Sequence, residues 1–289
     1  MGRRFRFNGL IILFPLILSV LMSATSLLIA QERQIPLPVW HELQRGFSYW
    51  EPNAPEKSIC NDSKIFILKA DPRYCKFRML SSSEHGKRNR TADVWAKEFD
   101  VNVVVNTSMF SMKNARASKG YLKNYSHYNN PHMNGYYNVM MALNPKKKSY
   151  PEMMLYDLTC NKWEAIRTNY QTFCQGMRMI GCNGNRMSWD KNPGQACSMV
   201  IGATDITGNI YFIFTRSPYT HQKMIDFIIR LIPDIRTTVY LEGGPEASLY
   251  VQTCDTIISK IGSYVSRTYE NDNNDHFWKI PNVIGIQSR

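Results

Sequence analysis

The feature that most limits what this chain can become is its beginning. Arg3, Arg4 and Arg6 precede Leu10–Ala30, 21 residues without a charged side chain. A cleavable signal has an apolar region of roughly 7–15 residues ending in small residues, and a spanning helix needs about 20. The run lies between these cases: Ala24 and Ser26 offer a small-x-small cleavage site, while Pro15 and the overall length leave an uncleaved anchor open. In either form the arginines stay inside, and the rest of the chain folds on the far side of the membrane. The expected location is extracytoplasmic: periplasmic, secreted or membrane-anchored facing outward.

Seven cysteines, Cys60, Cys75, Cys160, Cys174, Cys182, Cys197 and Cys254, follow the leader. In an oxidising compartment up to six can pair, in a connectivity that sequence does not reveal. There is no Cys-x-x-Cys or His-Glu-x-x-His, and His127 and His132 have no third ligand nearby, so no metal and no cofactor is expected. The formal charge is +12, from 35 basic and 23 acidic residues. Without the three leader arginines it is 35 − 3 − 23 = +9. This excess suits an acidic partner such as a phosphate-bearing glycan, but it is spread along the chain. Lys146–Lys148, after Asn144-Pro145, reads as a solvated turn, so no nucleic-acid partner is expected.

The expected organisation is residues 1–30 as signal peptide or anchor, 31–59 as an extended lead-in containing Pro36, Pro38, Pro52 and Pro55, and 60–289 as one domain. Lys64–Ala70, Val101–Val105, Tyr136–Leu143, Ser198–Thr204, Asn209–Thr215 and Thr237–Leu241 read as strands. Thr91 is placed to cap a short helix bearing Val94, Trp95 and Phe99. Met224, Phe227, Ile228 and Leu231 recur at helical spacing, which predicts a helix over 218–232 capped by Ser217-Pro218. The polar stretch 111–135 reads as a long loop.

Two strand ends deliver polar groups to a sheet rim. One is Asn106-Thr107-Ser108-Met109-Phe110; the other is Glu242-Gly243-Gly244-Pro245-Glu246-Ala247-Ser248. Paired glycines after a carboxylate allow a sharp turn and a close substrate approach. A phosphate would also need cations, and Arg178, Arg216 and Lys119 are the candidates by position. The bland readings are a tight turn at Gly243-Gly244 and a glycosylation sequon at Asn106; Asn61, Asn89 and Asn124 also stand in sequons.

These two segments, with Gly120 ten residues beyond Phe110 and Pro281–Gly285 near the end, resemble the phosphodiester glycosidases over roughly residues 60–288. Glu242 stands where that pattern more often has Asp, and Pro245-Glu246-Ala247 replaces Gly-Ser-Ser. The resemblance implies an α+β fold: a single mixed α/β domain with a central twisted sheet flanked by helices, here preceded by an N-terminal apolar helix. It also implies a hydrolase that cleaves a sugar from a glycosyl phosphodiester in envelope or exported glycans. Glu242, Asn106 and Glu246 are the expected catalytic residues, and Gly243, Gly244, Ser108, Gly120, Arg178 and Arg216 the expected substrate-binding ones. The expected partners are the glycan substrate and, through an uncleaved leader, the membrane. The alternative is a non-catalytic extracytoplasmic glycan-binding protein of the same fold.

Overall fold

Val103, Val104 and Val105 are all buried, as are Val239, Tyr240 and Leu241. Successive strand residues face opposite ways, so these strands are covered on both sides, and each cover has to be found. A computed structural model supplies them. It describes residues 1–2, 37–111, 114–189 and 194–289. The run Leu10–Ala30, and with it the expected N-terminal helix and leader, lies outside these residues. Among the described residues no helix is long and apolar enough to cross a membrane.

Within the unit Pro38–Arg289 the first strands are β1 (His41–Gln44), β2 (Phe47–Trp50), β3 (Phe66–Ala70), β4 (Cys75–Ser81) and β5 (Val103–Asn106). They are followed by β6 (Leu122–Asn124), β7 (His127–Asn130), β8 (Val139–Pro145), β9 (Met153–Asp157), β10 (Tyr170–Ile180) and β11 (Cys197–Asp205). The last are β12 (Ile210–Tyr219), β13 (Ile235–Gly243), β14 (Ser248–Gln252), β15 (Ile257–Ile261) and β16 (Asn282–Ser288). The helices are α1 (Ala92–Phe99), α2 (Trp163–Asn169) and α3 (His221–Leu231).

An 11-stranded sheet runs β1-β2-β3-β12-β11-β13-β10-β6-β7, with β8 also on β10 and β9 on β8; a 5-stranded sheet runs β15-β14-β5-β16-β4. The strand pairings are antiparallel. The main core lies between the sheets, where Phe66, Leu68, Phe212, Val239 and Leu241 of the larger meet Phe77, Val103, Val105, Leu249 and Ile284 of the smaller. On the outer face of the larger sheet, Met224, Ile225, Phe227, Ile228 and Leu231 of α3 cover Ile67, Ile201 and Ile213. On the outer face of the smaller, Trp95 and Ala96 of α1 cover Leu80, Val104 and Val283.

The expected mixed α/β domain with one central sheet is therefore incorrect. The fold is β-rich, with two stacked antiparallel sheets and three short helices among the described residues. The physical cause of the misreading is the double burial: a strand between a sheet and a helix carries a continuous apolar run, the pattern that parallel α/β sheets also produce. Two local expectations change as well. The polar stretch 111–135 contains the β6–β7 hairpin. Ser217 and Pro218 lie inside β12, and α3 is capped instead by Thr220, whose hydroxyl accepts from the Lys223 N–H at 3.2 Å.

One disulfide, Cys160–Cys182, closes a sequence separation of 22 residues. Cys75 and Cys174 are instead buried thiols of the inter-sheet core, where cysteine packs as a small hydrophobe. A cross-link of this span restricts the unfolded chain by roughly 3 kcal/mol. The double substitution Cys160→Ala/Cys182→Ala is expected to lower unfolding free energy by about 2–4 kcal/mol in denaturant titration. An unchanged midpoint and slope would show that the bridge contributes nothing.

Candidate functional site

The chain passes from one sheet to the other between β13 and β14, and the site is built at that crossing. β13 pairs with β11 and β10 in the larger sheet, while β14 pairs with β5 and β15 in the smaller. Between them Gly244–Glu246 forms a single 3-10 turn. Gly244 has φ +71°, and a Cβ there would lie 2.3 Å from Val265 Cγ2; a Cβ at Gly243 would lie 2.2 Å from the Tyr240 hydroxyl. Both glycines are thus required by local packing, Gly244 also by its left-handed backbone.

Glu242 is aimed by an irregularity in β13. Tyr240 stands opposite Ile201 and Glu242 opposite Val200, so Leu241 is the extra residue of a bulge. Directly opposed residues share a face. Regular alternation would send Glu242 to the side of Tyr240 and Ile201. The bulge turns it towards Val200 and the space between the sheets.

Asn106, at the end of β5, holds the crossing in place. Its Nδ2 donates to the Glu246 carbonyl at 3.0 Å, and its Oδ1 accepts from the Ser248 N–H at 2.7 Å. The two predicted strand ends therefore meet. They meet through a buried amide spent on backbone, rather than through an Asn106 side chain open to a ligand. The same engagement excludes glycosylation at Asn106. Asn124 is equally occupied, donating to Glu84 Oε2 and accepting from Thr172 Oγ1.

The first motif delivers a cation. Ser108 Oγ lies 2.8 Å from Ser118 Oγ, which also accepts the Gly120 N–H at 3.2 Å. The Lys119 N–H, between them in sequence, donates to the Met109 carbonyl at 3.0 Å. Ser108 and Gly120 thereby fix the segment from which Lys119 reaches the field of Glu242. A Cβ on Gly120 would fall 2.7 Å from the Tyr137 ring, so the glycine makes room for that buried tyrosine.

Electrostatics distinguish the carboxyls. Burial, reinforced by the negative charge of Glu246, pushes the Glu242 carboxyl up to about 8, against smaller opposing effects of the Gly243 N–H and Lys119. Burial also raises Glu246. Tyr137 is pushed up to about 12, by burial first and by the charge of Glu242 second. Tyr240 is held well above the usual tyrosine range by burial, with contributions from Cys197, Glu242 and Glu246. A carboxyl such as Glu242, keeping its proton near neutrality beside a second carboxyl, can serve as a proton donor. Sequence does not single out Tyr137 and Tyr240, because a tyrosine inside an apolar run carries no signal that separates a site wall from core.

The two arginines lie elsewhere. Arg178 Nη1 contacts both oxygens of the buried Asp157 at 2.8 and 2.9 Å and donates to Thr159 Oγ1. Asp157 also accepts the Cys182 N–H, so this arginine braces the disulfide region. Arg216 pairs with Asp272 at 2.8 Å, donates to the Ile261 carbonyl, and lines a separate cavity of about 460 Å³ that Glu242 does not line. Asp157, Cys160 and Cys182 come together as metal-type ligands, but the sulfurs are joined to each other and the carboxylate is spent on Arg178. His127 Nε2 is hydrogen-bonded to Ser83 Oγ.

No family model and no curated protein matches the sequence. Among solved structures, the chain is similar to the catalytic domain of zebrafish N-acetylglucosamine-1-phosphodiester alpha-N-acetylglucosaminidase, auto-inhibited by its pro-peptide. The identity is 11% and the TM-score 0.58, covering 86% of each chain. A hypothetical protein from Synechocystis is similar at 11% identity and a TM-score of 0.56, over 89% of this chain and 64% of that one. At such identities the likeness concerns the fold alone: this chain has the fold of a glycosidase catalytic domain.

Proposed function

We propose that the protein hydrolyses glycosyl phosphodiesters, cleaving between the sugar anomeric carbon and the phosphate-linked oxygen. The observation that carries this reading is the coupled carboxyl pair at the sheet crossing, with Glu242 holding a proton at neutral pH beside Glu246. The fold shared with a glycosidase catalytic domain supports it, and so does the proximity of Lys119. The Cys160–Cys182 bridge supports action outside the reducing cytosol, on envelope or exported glycans.

In this mechanism the glycosidic C–O bond breaks with its electron pair leaving on the phosphate oxygen, through an oxocarbenium-like transition state. Glu242 donates its proton to that oxygen. Lys119 offsets the phosphate charge, the role that its position permits and that the engaged Arg178 and Arg216 do not fill. Glu246 takes a proton from the water that adds to the anomeric carbon. Asn106 is a positioning residue that fixes the Glu246 turn. Gly243 and Gly244 let the backbone turn tightly beside Glu242, against Tyr240 and Val265.

Glu242→Gln is expected to lower kcat on a sugar-1-phosphodiester by about 10²–10⁴-fold. Wild-type turnover should fall as pH rises through about 8, where Glu242 loses its proton. Undiminished turnover in the variant removes Glu242 from the mechanism, and binding without turnover in the wild type would favour a non-catalytic glycan-binding protein.

Stability gives a check that needs no substrate. Between the ordinary glutamate value of 4.5 and about 8, the unfolded chain releases a proton that native Glu242 keeps. Native stability is therefore fullest below that window and declines as pH rises across it, by on the order of a few kcal/mol. Denaturation of Glu242→Gln between pH 5 and 8.5 should show a distinctly shallower decline; parallel curves would contradict the raised carboxyl.

A further inference from the structure

The cavity of about 460 Å³ that Arg216 lines lies between the two sheets, at the β15 edge of the smaller one. Its floor is the directly paired Phe66 and Phe214, both part of the inter-sheet core. Side chains two apart on a strand share a face. Lys64, two residues before Phe66, and Arg216, two after Phe214, therefore extend that floor with a pair of cations, and both line the cavity. The facing wall is Ser259, Lys260 and Ile261 of β15.

Most of the charge around this space is already matched. Arg216 pairs with Asp272 at 2.8 Å and Lys260 with Glu51 at 2.5 Å. Asn61 Nδ2 donates to Asp272 Oδ2 at 2.7 Å, which ties the 61–64 turn to the 272–275 loop across the cavity. Among the described residues two charged groups are left over. The Lys64 ammonium has no ion pair or hydrogen bond, and Asp62 accepts the Lys64 N–H at 3.0 Å and the Ser217 hydroxyl at 3.4 Å on Oδ1 alone, keeping Oδ2 open. A simple anion entering here would also meet Glu51, Asp62 and Asp272, and a simple cation would meet Lys64, Arg216 and Lys260. A small molecule that carries one charge of each sign complements both sets. The volume falls in the small-ligand range of about 300–1,000 Å³.

One wall of this cavity is shared with the crossing. Arg216 Nη1 donates to the Ile261 carbonyl at 2.9 Å. Asn274, 3% exposed and also lining the cavity, donates through Nδ2 to the Gly262 carbonyl at 2.7 Å. The Gly262 N–H donates in turn to the Ala247 carbonyl at 2.8 Å, and a Cβ on Gly262 would lie 2.1 Å from the Gly244 carbonyl oxygen. The segment 261–262 thus has the cavity on one side and the turn that carries Glu246 on the other.

We propose that this cavity is a binding site for a small zwitterion, a free α-amino acid or a dipeptide, distinct from the Glu242 site and independent of the hydrolysis assigned to it. The ligand carboxylate is received by Lys64 beside Arg216, and the ligand ammonium by Asp62 Oδ2 beside Asp272. Its occupant rests against Arg216, and so firms the Ile261–Gly262 wall behind the Glu246 turn.

The test is calorimetric titration of the full chain with the common free L-amino acids and with glycylglycine. At least one of these zwitterions is expected to bind, with its N-acetylated amide, D-glucose and inorganic phosphate each more than about 10-fold weaker. Lys64→Gln and Asp62→Asn, both at exposed positions outside the proposed catalytic machinery, should each weaken binding by about 3–10-fold, the range of a partly exposed charged contact. Thermal unfolding of the free protein should be unchanged in both. No binding by the wild type, equal binding of the blocked amide, or full affinity in both variants overturns the site. In hydrogen exchange the bound zwitterion should slow the Gly262 N–H, and an unchanged rate in the bound protein refutes the link to the turn.

Discussion

The structure around the site depends on one amide. Asn106 bonds the Glu246 carbonyl and the Ser248 N–H, and in doing so it fixes the place where the chain leaves the larger sheet and enters the smaller. Two stacked sheets must exchange a strand direction somewhere, and the crossing necessarily interrupts both hydrogen-bond ladders. Backbone groups freed inside a protein cost about 1–3 kcal/mol each if unpaired. Here a side-chain amide supplies the missing partners, and the interruption becomes a fixed turn that carries Glu246 just beyond Glu242 at the end of β13.

Around that turn the packing is tight enough to dictate composition. Gly243 yields to the Tyr240 hydroxyl, Gly244 to Val265, and Gly120 to Tyr137. The bulge at Leu241 turns Glu242 inward, and the resulting desolvation, added to the charge of Glu246, explains why a glutamate keeps its proton near neutrality. Geometry and titration therefore have one origin, the crossing of the chain between sheets.

Much of the local structure is legible in the sequence. The β11–β12 hairpin, the strands ending at Asn106 and near Glu242, and the apolar stripe of α3 follow from periodicity and turn residues. The architecture does not, because a doubly covered antiparallel strand and a parallel one present the same apolar run. β10, spelled Tyr-Gln-Thr-Phe-Cys-Gln-Gly-Met-Arg-Met-Ile, mixes polar residues into its face because Gln175 clamps the 134–137 turn and Arg178 braces Asp157. At the candidate site, the motifs single out Glu242, Glu246 and Asn106, but the spending of Asn106 on backbone and the engagement of Arg178 and Arg216 with Asp157 and Asp272 are tertiary facts. Lys119, one of three cations named from position, is the one whose charge reaches Glu242.

The account stands on the proton that Glu242 keeps beside Glu246. Its most direct measurement is a titration of the Glu242 side-chain carboxyl by carbon-detected NMR, assigned by comparison with Glu242→Gln. A midpoint near 8 that moves down in Glu246→Gln is the predicted result. A midpoint in the ordinary glutamate range near 4.5, unmoved by the loss of Glu246, would contradict it.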